Sequence, residues 1–215
     1  MRLAKCSAQA AIALAVAFAA LPGLFASAFA QDTTLSRTQP AWSPDGRWIA
    51  YVGRPASGPG QADLYLVSVD GTRHRRLTDT PESESRPDWA PDGRSLTFQT
   101  GEPRGRWRLG FIEADGTNRR VVPVANGNVS SPSFSPDGRA IAMEVGEGEA
   151  TAVYTARPDG QELRALTAAI EGSASAPSFS PDGSRIVFSV TGAGGSTLWV
   201  MNADGTNGRP LLGSR

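Results

Sequence analysis

The chain of 215 residues holds one cysteine, Cys6, one histidine, His74, and one lysine, Lys5. Without a second cysteine no intrachain disulfide can form, and a thiolate metal site is excluded with it. One histidine, placed in an arginine-rich turn, offers no second imidazole for a zinc site and argues against a nucleophilic triad. No Gly-x-Ser-x-Gly elbow is present; Gly192-Ala193-Gly194-Gly195-Ser196 does not match it. A phosphate-cradling loop ending in Gly-Lys is missing too, since Lys5 lies in the leader. The formal net charge is zero, so no bulk attraction to nucleic acid or an acidic membrane is implied. Carboxylate-pair chemistry would need two converging acids, and nothing in the sequence selects a pair. No catalysis is expected.

Long hydrophobic runs are equally scarce. The single one, Ala10 to Leu21, is too short for a spanning helix of about twenty residues, and Pro22-Gly23 break it. Arg2 and Lys5 before it, and Ala28-Phe29-Ala30 after it, make residues 1–30 read as an export signal cleaved between Ala30 and Gln31. Cys6 precedes the apolar run, which is the wrong side for a lipoprotein. The chain left after cleavage has 185 residues, with 19 Arg, no Lys and 21 acidic residues.

What is abundant is repetition. Ser43-Pro44-Asp45-Gly46 recurs as Ala90-Pro91-Asp92-Gly93, Ser135-Pro136-Asp137-Gly138 and Ser180-Pro181-Asp182-Gly183, at spacings of 47, 45 and 45. A second marker keeps the same phase: Asp70-Gly71, Asp115-Gly116, Asp159-Gly160 and Asp204-Gly205. Pro-x-aromatic precedes each first turn, at Pro40-Ala41-Trp42, Pro87-Asp88-Trp89, Pro132-Ser133-Phe134 and Pro177-Ser178-Phe179. An alternating strand follows (Ile49/Tyr51, Leu96/Phe98, Ile141/Met143, Ile186/Phe188), and then a strand apolar on both faces. A fourth short strand carries Leu77, Val122, Leu166 or Leu211. Four antiparallel strands per unit of about 45 residues is the arithmetic of a β-propeller blade.

The fold expected is therefore all-β: a propeller of four four-stranded antiparallel blades, as an open arc, a small closed ring, or one completed by oligomerisation. Residues 31–39 read as a short lead-in, and the blades as 40–86, 87–131, 132–176 and 177–215. Pro-x-(Trp/Phe)-Ser-Pro-Asp-Gly, then Asp-Gly-Thr and Arg-Arg-Leu-Thr, resembles the TolB-like, WD-repeat-like propeller repeat. The resemblance implies a periplasmic binding module in a cell-envelope complex that docks an envelope protein, a lipoprotein or a glycan. The namesake's amino-terminal α/β domain and two of its six blades have no counterpart here. The same repeat implies two alternatives: an accessory propeller of a peptidase or polysaccharide-degrading system, and a fragment of a larger propeller. A homo-dimer completing the ring is a further expectation.

Strand order puts both tight turns of each blade on one rim and the variable loops on the other. Binding is expected on the loop rim. There Arg104, Arg106, Trp107 and Arg108 can hold an acidic peptide or carboxylated glycan. Asp79, Glu82, Glu84 and Asp88, interleaved with Arg86, can attract a basic partner or a cation. Asp115/Asn118 and Asp204/Asn207 are the pairs that calcium could use, but hairpin chemistry already accounts for these aspartates, and no cofactor is expected.

Overall fold

The computed structural model describes residues 34–211 apart from 58–59, 103, 123, 125–126 and 148–149. Residues 1–30, read above as an export signal, lie outside the described residues. Among the described residues, sixteen strands form four separate four-stranded antiparallel sheets. Blade 1 holds β1 (Leu35–Trp42), β2 (Trp48–Pro55), β3 (Asp63–Ser68) and β4 (His74–Arg76). Blade 2 holds β5 (Ser83–Trp89), β6 (Ser95–Gly101), β7 (Trp107–Glu113) and β8 (Arg120–Val122). Blade 3 holds β9 (Asn128–Phe134), β10 (Ile141–Glu147), β11 (Ala150–Ala156) and β12 (Arg164–Ala165). Blade 4 holds β13 (Ser173–Phe179), β14 (Arg185–Gly192), β15 (Gly195–Asn202) and β16 (Arg209–Pro210). No described helix is long and apolar enough to cross a membrane.

Each sheet packs face to face on the next in chain order, and the first strands of successive sheets lie side by side. Blade 4 does not pack back on blade 1, so the four sheets form an open arc. Three cores fill the three joints. The first sets Ala50, Val52, Leu64, Leu66 and Leu77 against Trp89, Leu96, Phe98 and Ile112. The second sets Leu109, Phe111 and Val122 against Phe134, Ile141 and Met143. The third sets Val153 and Leu166 against Ile186, Phe188 and Met201. The alternating second strand thus points its apolar side backwards, and the third strand points one side forwards. This explains why the third strand is apolar on both faces.

The turns are built from side chains as well as glycine. The Ser43 hydroxyl donates to Asp45 Oδ1 (2.6 Å) and accepts the Trp48 N–H (2.9 Å). Ser135 and Ser180 repeat this arrangement. These bonds hold the turn carboxyls of Asp45, Asp137 and Asp182 below the usual range, the last at about 2. Gly46, Gly93, Gly138 and Gly183 leave the turn at φ +70 to +73, in the left-handed region that glycine enters without penalty.

Four boundaries differ from the sequence expectation. β1 begins at Leu35, so the supposed lead-in before Pro40 is half of blade 1's first strand. Likewise β5, β9 and β13 start ahead of their prolines, at Ser83, Asn128 and Ser173. A β-bulge is the reason. All four first strands shift register just before Pro-x-aromatic, which breaks the period-two pattern and conceals the strand's leading half.

Candidate functional site

The bulges put four non-glycine residues, Gln39, Arg86, Ser131 and Ala176, at φ between +49 and +54. Each precedes a proline, which already disfavours the right-handed helical region. Left-handed backbone costs such residues about 1–2 kcal/mol each, and it turns them off the sheet face. They occupy the first strands, along the inner wall of the arc. Gln39 Oε1 accepts the Arg86 backbone N–H (2.6 Å), and the Arg86 guanidinium donates to Ser131 Oγ (3.1 Å). In the last joint Glu144 takes over, accepting the Ala176 N–H at 3.4 Å. Arg86 was expected among the acids of the loop rim; it is instead the one cation of this inner ladder.

The loop rim between blades 1 and 2 carries a polar cluster. Glu84 is fully buried. Its carboxylate accepts from Thr78 Oγ1 (3.0 Å), Thr80 Oγ1 (2.7 Å) and Arg119 Nη2 (3.0 Å). Burial pushes the Glu84 carboxyl up, and these three donors only partly offset it. Burial acts the same way on Glu82, but the Thr100 hydroxyl with Arg108 and Arg119 outweighs it and holds that carboxyl down. Arg108 Nη2 donates to Glu82 Oε1, and Thr100 Oγ1 donates to its Oε2 (2.8 Å). The acidic stretch is thus not a surface for a basic partner at Glu84. Desolvation is the reason: three donors from two segments, the β4–β5 link and the β7–β8 turn, have closed over it, and the cluster ties blade 1 to blade 2.

Arg104 is exposed. Trp107 is half-buried at the blade edge, its backbone N–H held by Asn128 Oδ1 (2.8 Å). Arg106 reaches across to blade 3, donating to the carbonyls of Gly127 (3.2 Å) and Val124 (3.5 Å). There it walls a cleft of about 600 Å³ with Thr151, Tyr154, Thr167, Ile170 and Gly172. That volume lies within the range of small-ligand and peptide sites. One guanidinium among hydroxyls suits a carboxylate. The lining residues from blade 3 had no distinguishing signal in the sequence, because the joint brings them together.

At the second turns Asp115 Oδ1 accepts the Thr117 N–H (2.8 Å) and hydroxyl (2.6 Å), and Asp204 does the same with Thr206. Asn118 and Asn207 stand at φ +54 and +56. Asparagine tolerates that conformation, which gives these residues a backbone role.

Residues 99–214 match the TolB beta propeller domain family. The chain belongs to that family. No curated protein sequence matches it. Among solved structures, the putative TolB from Agrobacterium tumefaciens is similar at 20% identity, covering 83% of this chain and 81% of that one (TM-score 0.65). An oligogalacturonate lyase from Vibrio parahaemolyticus shares 16% identity over 84% of this chain and 55% of its own (TM-score 0.66). A puromycin-hydrolyzing peptidase from Mycobacterium tuberculosis shares 17% over 83% of this chain and 31% of its own (TM-score 0.66). This TolB-like propeller therefore spans about half and about a third of the two enzymes, and shares its fold with all three.

Proposed function

We propose that this TolB-like propeller is an exported, non-catalytic binding module of the bacterial cell envelope. It takes a protein partner on its loop rim. The observation that carries the reading is the cleft walled by Arg106, where a blade 2 guanidinium shares the lining with the hydroxyls of Thr151 and Thr167. An acidic segment of an envelope protein or lipoprotein fits that chemistry. The scaffold rim opposite has its carboxylates committed to their own backbone, which suits a support and not a reaction centre. Residues 1–30 carry the pattern that would deliver the chain to the envelope.

Affinity capture from solubilised envelopes, with the intact protein as bait, tests this. The wild type should retain a partner that Arg104→Glu/Arg106→Glu loses and that Asp137→Asn on the turn rim keeps. Loss with the turn-rim variant and retention with the loop-rim variant would reverse the assignment. Amino-terminal sequencing of the exported protein should begin at Gln31.

A further inference from the structure

Among the described residues, the large hydrophobics that stand exposed are Trp42 (58%), Val69 (57%), Leu198 (46%) and Leu211 (45%). All four lie on the two ends of the arc, the first two on blade 1 and the others on blade 4. Their counterparts inside the arc are covered. Leu64, Leu109 and Val153 occupy the position of Leu198 in blades 1 to 3 and are completely buried by the following blade. Trp89 and Phe134 occupy the position of Trp42 and are buried against the preceding one.

The joints draw on a small set of pieces, the proline seat at all three, an arginine at the first and last and an indole bond at the first, and each end of the arc holds one half of each. At the first joint the Trp89 indole N–H donates to the Ala41 carbonyl (3.1 Å). Trp42 repeats that indole on blade 1, and Ser178 repeats Ala41 on blade 4. Arg75 reaches over the same joint to the carbonyls of Ala114 and Asp115. The Thr206 hydroxyl and N–H chiefly hold the Asp204 carboxyl down, and the Arg164 charge adds to this across the last joint. Arg209 is the same arginine on blade 4, exposed, and Val69-Asp70 is the same turn on blade 1. A Cβ on Gly93, Gly138 or Gly183 would touch the proline of the preceding turn, Pro44, Pro91 or Pro136, at 3.5–3.7 Å. Gly46 has nothing within 4 Å, while exposed Pro181 is the corresponding proline of blade 4. Three unrelated contacts, an indole bond, an arginine clasp and a proline seat, are thus each left half-made at both ends, in the sense that lets the halves meet.

We propose that the occupant of both ends is a second copy of this chain, blade 4 of each docking on blade 1 of the other. A head-to-tail contact of this kind must close or polymerise. Two copies give eight blades, which is within the four to eight of ordinary propellers, whereas three give twelve. The closed dimer is therefore the assembly. In it Trp42 donates to Ser178 of the partner, and Arg209 clasps the partner's Val69–Asp70 turn. The inference is independent of which partner the loop rim takes.

Sedimentation equilibrium of the intact secreted protein at micromolar concentration should give the mass of a dimer. Leu198→Asp and Trp42→Asp each break one face and should each weaken self-association about hundredfold, the loss of a central interface anchor. Both sites are exposed in the single chain, so circular dichroism should show unchanged strand content. Mixing the two variants must restore a dimer, because one chain keeps an intact blade 1 and the other an intact blade 4. A monomeric wild type, an undiminished Leu198→Asp dimer, or a mixture that stays monomeric would each overturn the proposal. A monomer whose Trp42 is shielded from quenchers would show that the chain's own residues outside 34–211 cover the end.

Discussion

The two rims of the arc spend their polar groups in opposite ways. On the turn rim each carboxylate is satisfied within three residues: Asp45 by Ser43 and Arg47 N–H, Asp70 by Ser68 and Thr72, Asp182 by Ser180 and Ser184. On the loop rim the bonds cross between segments far apart in sequence, Arg119 to Glu84 and Glu82, Arg106 to Gly127. Local carboxylate bonds make a turn rim that is repeated and redundant, so one of these aspartates can change without touching the next, while Arg75 and the proline seats join neighbouring turns. Long-range bonds make a loop rim in which each pair exists once. The difference teaches where damage should spread and where it should stay local.

The sharpest way to break that contrast is Arg119→Ala. It leaves Glu84 buried among hydroxyls with no cation, and removing one partner of a buried ion pair costs about 3 kcal/mol. Urea unfolding at neutral pH should show that deficit. Glu84 starts with a raised carboxyl, so the folded state holds a proton that the unfolded state releases. Stability contributed this way grows as pH falls from the folded value towards the unfolded value of about 4.3. The Arg119→Ala deficit should therefore shrink on acidification within that window. A deficit below about 1 kcal/mol, the scale of an exposed pair, would place Glu84 in a wetter setting than its burial indicates.

On the turn rim Gly93→Ala is expected to cost less, about 1–2 kcal/mol, the penalty of a side chain in left-handed backbone. Gly93 sits at φ +71, and its new Cβ would meet Pro44 Cδ at an ordinary 3.7 Å, so no clash adds to the penalty. Gly46→Ala, at φ +70 in open space, should cost the same in the isolated chain. Equal melting shifts for the two would show the rim to be modular; a markedly larger shift for Gly93→Ala would show coupling through the joint.

How much of this was legible in the sequence follows from the range of the interactions. Turns and their phase are local, so Pro-Asp-Gly and Asp-Gly marked four blades and their strand order correctly. The bulge at Gln39, Arg86, Ser131 and Ala176 was not legible. Those residue types do not announce a positive φ, although their recurrence one step before each Pro-x-aromatic could have flagged them. Glu84 read as one more surface acid because Arg119 lies 35 residues away, and it closes over the carboxylate with Thr78 and Thr80 only in the folded blades. The cleft under Arg106 is likewise a product of a joint. Arg104 kept the exposure its loop position suggested.

The smallest expected effect is also the one that tests the turn logic most directly. Blade 2 carries Ala90 where the other blades have Ser43, Ser135 and Ser180. Asp92 accordingly takes only the Arg94 N–H (2.9 Å) among these turn bonds. Ala90 is buried to about the same degree as Ser43 and Ser135, and its N–H bonds the Ser95 carbonyl as Ser43 does that of Trp48. The site thus has the geometry for a hydroxyl that donates to Asp92 and accepts the Ser95 N–H. Ala90→Ser should stabilise the protein by about 0.5–1 kcal/mol, the net worth of a hydrogen bond. The added donor favours the charged carboxylate, as Ser135 does for Asp137. A carboxyl lowered in the folded state contributes above its unfolded value of about 3.9 and loses that contribution as pH falls through the folded one. The gain in melting temperature should accordingly be present at neutral pH and fade below about pH 4. A neutral or destabilising result at pH 7 would mean that the methyl of Ala90, packed with Leu109 and Phe111 in the second core, matters more to blade 2 than the missing hydroxyl.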